Sequence, residues 1–151
     1  MKKNVLTIIA GILLVIYALA NFGASFGQFA KGKAVGETAS LVSGFGQMAG
    51  NMKSAAQIEK KGFAATLVLY GIAVFILLTA ILNLTAAIGL FSPQTWTFNV
   101  VTLSAICGIL VEIQDTAEDG FGIGKLIFFA INILAFIAVY SAKQEQELLT
   151  E

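Results

Sequence analysis

The chain has 151 residues, 58% of them hydrophobic, with nine Lys, no Arg, no His, one Cys and a formal net charge of zero. With a mean hydropathy of +0.87, it is too apolar for a soluble domain and too short for two. The absent residue types exclude whole chemistries. Without His there is no imidazole to hold haem, copper, zinc or a di-iron pair. The lone Cys107 excludes an internal disulfide or a Cys-pair redox motif. The lack of Arg removes bidentate phosphate clamps and voltage-sensor charges, and no basic arm points to nucleic acid.

Four long uncharged runs give the fold class: an all-α integral membrane protein, a four-transmembrane-helix bundle with a long, partly helical first loop. A hydrocarbon core of about 30 Å needs about 20 mostly apolar helical residues. The first span covers about 4–22. Lys2-Lys3, an apolar stretch and Ala18-Leu19-Ala20 resemble a cleavable signal peptide. The apolar character continues through Phe22, Ala24, Phe26 and Phe29, which favours a retained span. Its polar and small residues, Ala10, Tyr17, Ala18, Asn21 and Ala24, share a helical stripe.

Residues 31–62 read as loop one, rich in Gly and carrying Lys31, Lys33, Lys53, Lys60 and Lys61 against Glu37 and Glu59. Leu41, Phe45, Met48, Met52 and Ala55 recur at helical spacing, which predicts an amphipathic helix from about Thr38 to Lys60. Charge attraction to the acidic third loop should draw it down and leave Phe45, Met48 and Met52 at least half buried against the span ends or the bilayer interface. The second span, 63–91, exceeds the bilayer thickness and should tilt or project. It lines up Thr79, Ala80, Asn83 and Ala87, and Ser92-Pro93 ends it.

The third span, about 94–113, sorts Thr97, Ser104, Gly108, Glu112 and Asp115 onto one side and Leu103, Ile106, Ile109, Leu110 and Ile113 onto the other. An acidic turn (Glu112, Asp115, Glu118, Asp119) leads to the fourth span, 122–140, with Lys125 and Asn132 on one face. Trp96 and Tyr140 fall at one membrane face, and 141–151 form a charged tail. Polar and small residues in lipid should turn inward, and Ser104-xxx-Gly108 and Gly23-xxx-Gly27 fit the small-xxx-small packing pattern.

The antiparallel register of spans three and four brings Glu112 level with Lys125 and Ser104 level with Asn132. This predicts an ion pair, made directly or through one water, and an interhelical hydrogen bond. The plain reading of these residues is structural. The sharper one is a candidate ion pathway along Glu112, Lys125, Ser104, Asn132, Asn83 and Asn99. The acidic turn fits a solvated surface better than a divalent-cation site, because its spacing matches no calcium loop. Ser104 and Cys107 have no His to activate them, and no catalytic, cofactor or metal residues emerge.

The expected role is therefore a non-catalytic assembling or accessory subunit, a homo-oligomer or part of a larger membrane complex, surrounded by lipid and without a nucleic-acid partner. The alternative is a small channel or transporter. The expected location is a bacterial inner membrane with both termini cytoplasmic: the first span and its Lys-Lys tail favour this, although six of the nine Lys lie on the other side.

Overall fold

The structure, a computed structural model, describes residues 5–92 and 94–147. Lys2 and Lys3, Pro93 and tail residues 148–151 lie outside the described residues. All regular elements described are helices: α1 (Val5–Met48), α2 (Met52–Phe91), α3 (Thr97–Asp119) and α4 (Ile123–Glu147). Each contains a stretch long and apolar enough to cross a membrane. At 44 and 40 residues, α1 and α2 have about twice the length a bilayer core requires.

The expected first loop is the principal correction. Residues 31–62 are helical except at Ala49–Asn51, where α1 hands over to α2. The break is a Schellman cap. Gly50 adopts a φ of 78°, its N–H donates to Gln47 O at 3.0 Å, and the Asn51 N–H donates to Gly46 O at 2.9 Å. A positive φ is open to glycine at little steric cost. Thr38–Lys60 is thus two helix ends meeting at Gly50, not one amphipathic helix.

Residues 22–77 form one compact unit, a helical hairpin. Its glycines are packing sites. Gly46 faces Ala55, Gly36 faces Thr66 and Gly32 faces the Tyr70 ring, while Gly62 meets Ala39 so closely that any side chain there would collide with it. The partners step down one helix as they step up the other, as antiparallel pairing about Gly50 requires. Thr66 Oγ1 donates within α2 to Gly62 O at 2.9 Å and reaches Gly32 O at 3.3 Å. Phe29 and Tyr70 rings lie 5.7 Å apart. Each mid-helix glycine costs about 1 kcal/mol relative to Ala, a cost offset by the close approach it permits. At the hairpin's end Phe45, Met48 and Met52 are 71%, 87% and 73% exposed, so the span ends do not cover them, which leaves the bilayer interface as the surface expected to bury them.

Two substitutions separate these roles. Gly62→Val should weaken the hairpin by roughly 2–3 kcal/mol through the collision with Ala39. Gly44→Ala, where an added Cβ meets nothing, should be neutral or stabilising by about 0.5–1 kcal/mol. Guanidinium unfolding in micelles, followed by far-UV circular dichroism, measures both.

Among the described residues, 5–21 and 78–147 group as the second unit. Its core draws on all four helices: Ala10, Leu14 and Tyr17 of α1, Ala86, Ala87 and Leu90 of α2, Val101 of α3, and Ile131, Ala135, Ala138 and Val139 of α4. Small residues again set the spacing. Phe91 lies against Gly11, and Trp96 and Thr97 against Gly89. Thr97 is fully buried at the start of α3, where its hydroxyl accepts from the Gln94 N–H at 2.9 Å. The acidic turn forms the last two turns of α3, which continues past 113 to Asp119 and ends at Gly120 with a φ of 81°. Lys143 of α4 stands 4.5 Å over the Phe98 ring, so the end of α4 lies beside the start of α3, near the partly exposed Trp96 and Tyr140.

Candidate functional site

The stripes read from the sequence become the interior of the second unit. Thr97, Ser104, Gly108 and Glu112 of α3 are buried, as are Thr79, Ala80 and Asn83 of α2, Tyr17 and Asn21 of α1, and Asn132 of α4. Leu103, Ile106, Leu110 and Ile113 are exposed on the outer side of α3. Ala24 is exposed rather than interior, and so is Asn99. Asn99 sits two residues from Thr97 and two from Val101, both buried, and helical geometry turns it away from their face.

The pairings differ from the expected ones. Ser104 donates to Asn83 Oδ1 at 2.5 Å, not to Asn132. Asn132 sits one turn further along, its amide pressed against Gly108, and its Nδ2 donates to Phe128 O at 2.9 Å within its own helix. Glu112 and Lys125 form no direct ion pair. The Lys125 ammonium is 2.9 Å from Asp115 Oδ2 and donates to the carbonyl oxygens of Asp115 at 2.6 Å and Gly120 at 2.8 Å. These three acceptors match its three N–H groups. Two of them are backbone carbonyls at the end of α3, so Lys125 caps that helix from across the turn. Asp115 lies three residues beyond Glu112 on the same face and is nearer the turn, which is why Lys125 chooses it.

Glu112 is met instead from α1. The Tyr17 hydroxyl donates to Glu112 Oε1 at 2.8 Å and lies 3.1 Å from Gly108 O. Tyr17 is fully buried, Glu112 is 6% exposed, and the Tyr17 ring lies 5.1 Å from that of Phe128. An α1–α3–α4 junction therefore centres on Tyr17. The sequence placed Tyr17 on the inward stripe of its helix but offered no signal for its partner, 95 residues away. Three buried amide atoms nearby, Asn21 Nδ2, Asn83 Nδ2 and Asn132 Oδ1, have no hydrogen-bond partner among the described residues. Such groups are costly in a low-dielectric interior.

Next to this junction, α3 and α4 flank an open-sided pocket of about 310 Å³ lined by Glu112, Ile113, Thr116, Phe121, Lys125, Leu126 and Phe129. Its two charges have different standing. Lys125 is neutralised by Asp115, whereas Glu112 has a hydroxyl donor and, among the described residues, no directly bound cation. Ser104 and Cys107 are not joined to any base by a hydrogen bond among the described residues: Ser104 is spent on Asn83, and Cys107 is a partly buried free thiol. The arrangement can hold a charge and pack helices. Searched against protein-family models, curated proteins and solved structures, the chain matches none.

Proposed function

We propose that this chain is a non-catalytic polytopic membrane protein that acts by assembly, as a homo-oligomer that serves as an accessory or structural subunit. The observation that carries the reading is the different fate of its two small-xxx-small motifs. Ser104-xxx-Gly108 is consumed within the chain, where Asn132 covers Gly108. At Gly23 and Gly27 an added Cβ would meet nothing within 4 Å. That stretch of α1 also exposes Phe26 at 68%. An open glycine face beside a large apolar side chain suits the close approach of a helix from a second copy, because in lipid small residues rather than hydrophobic burial drive helix association. The location that accompanies this reading is a bacterial inner membrane with both termini cytoplasmic, supported by Lys2, Lys3 and Lys143 near the two ends.

Stoichiometry in lipid nanodiscs or native membranes tests the assembly reading. The wild-type chain should be oligomeric, and Gly23→Leu/Gly27→Leu should shift it at least tenfold towards monomer at matched protein-to-lipid ratio, with helicity unchanged. A wild-type monomer, or an oligomer indifferent to both leucines, overturns it. A second reading, a small transporter or channel, is favoured by the buried Glu112 beside a cavity. Ion or solute flux into liposomes that vanishes in Glu112→Gln would favour it over assembly.

A further inference from the structure

We propose that the cavity between α3 and α4 is a binding site for a lipophilic organic cation, a quaternary or protonated amine with an aromatic or alkyl substituent, with Glu112 as its counter-charge. The inference goes beyond the assembly reading and does not depend on it.

Charge accounting comes first. The cavity is lined by one acid, Glu112, and one base, Lys125. All three Lys125 N–H groups are committed, to Asp115 Oδ2, Asp115 O and Gly120 O, each within 2.9 Å. Asp115 therefore cancels Lys125 and leaves the Glu112 carboxylate as the unbalanced charge. Its hydrogen bond comes from a neutral donor, the Tyr17 hydroxyl, which stabilises and orients the carboxylate without neutralising it. A buried carboxylate in apolar surroundings is strongly favoured by a cation brought against it.

The rest of the wall sets the chemical class. Ile113, Leu126, Phe121 and Phe129 are apolar, and Thr116 is the one uncharged polar lining residue. A small hydrated metal ion would find one carboxylate and few other oxygens in such a wall, far short of the six to eight ligands of calcium or the octahedral shell of magnesium. An ammonium carrying its own apolar surface loses little hydration on entry. Its charge can lie against the Phe rings as well as the carboxylate, the arrangement by which aromatic sites hold quaternary ammonium groups. The volume of about 310 Å³ falls at the lower end of small-molecule pockets, about 300–1,000 Å³, so the ligand should be small.

Benzyltrimethylammonium and its uncharged carbon isostere neopentylbenzene are matched probes. Binding to the full chain in nanodiscs is measured by isothermal titration calorimetry, with empty nanodiscs of the same lipid as the blank. The cation should bind saturably to the protein. Glu112→Gln should weaken it at least tenfold, because Gln preserves the shape and can still accept from Tyr17. Phe129→Ala should weaken it severalfold, and Lys125→Met, which frees the Asp115 carboxylate, should tighten it. Neopentylbenzene should show no dependence on residue 112. Circular dichroism and the elution profile establish that each variant is folded. If Glu112→Gln misfolds, Phe129→Ala and Lys125→Met still decide the matter, since a merely apolar crevice would not tighten on loss of Lys125 and would not distinguish the two probes. Cation binding equal in wild type and Glu112→Gln, no binding beyond the blank, or equal affinity for cation and isostere would overturn the proposal.

Discussion

Tyr17→Phe should lower the stability of the folded chain by about 2 kcal/mol, a large effect for the loss of one oxygen atom. Charge-assisted hydrogen bonds contribute roughly 1.5–3 kcal/mol. Neutral interhelical bonds in membrane bundles average nearer 0.6 kcal/mol. The Tyr17 bond belongs with the stronger class, because its acceptor is a carboxyl group that is 6% exposed and accepts at 2.8 Å. Phe keeps the ring and its 5.1 Å approach to Phe128, so the substitution isolates the hydroxyl. The loss leaves Glu112 without its donor, and stranding a buried acid costs more than the bond itself contributed. Adding Glu112→Met should therefore restore most of the stability, since an apolar side chain of similar length removes the stranded group. Reversible unfolding in mixed micelles, run as a double-mutant cycle over Tyr17 and Glu112, should show a coupling of at least about 1 kcal/mol. Additive single effects would mean that the two residues do not support one another.

Gly108→Val should be at least as damaging, at about 3 kcal/mol. An added Cβ at Gly108 would collide with the Asn132 amide group. Asn132 has little room to withdraw: it is fully buried, and its Nδ2 is tied to Phe128 O. Valine adds β-branching, which narrows the rotamers available in a helix. The obstruction is a single side chain, so Asn132→Ala should rescue Gly108→Val substantially, even though Asn132→Ala opens a small cavity in the wild-type background. Gly124→Ala, where an added Cβ meets nothing within 4 Å, should cost nothing and serves as the control. Thermal unfolding of the four variants gives the ordering, and a Gly108→Val variant as stable as wild type would show that α3 and α4 pack less closely than the structure has them.

These residues also show how much the sequence could convey. Helical periodicity was enough to place Ser104, Gly108 and Glu112 on the inner side of α3 and Leu103, Ile106 and Ile113 on the outer, because lipid rewards that sorting over several turns. Partner choice lay beyond it. Register alone brings Lys125 level with the end of α3, but Glu112 and Asp115 lie three residues apart on one face. The choice between them rests on the backbone carbonyls of Asp115 and Gly120, which Lys125 reaches from the same position. Glu112 finds its donor on α1, where no spacing rule connects residues 17 and 112. The region around Gly50 departs from its sequence pattern for a different reason. A glycine-rich stretch reads as a loop, whereas Gly32, Gly36, Gly46 and Gly62 each admit a facing side chain between two helices. The usable signal was narrower: a Gly followed by Asn with helix-forming residues on both sides marks a helix C-terminus.

Self-association through Gly23 and Gly27 is the central claim, and proximity between copies tests it most directly. In a Cys107→Ser background, Gly27→Cys carries the one thiol in the chain, and any disulfide it forms joins two copies. Oxidation in native membranes should convert most of the Gly27→Cys protein to a covalent dimer, while Leu103→Cys, on the exposed side of α3, should remain largely monomeric. A Gly27→Cys chain that stays monomeric, or that cross-links no more than Leu103→Cys, would contradict the claim.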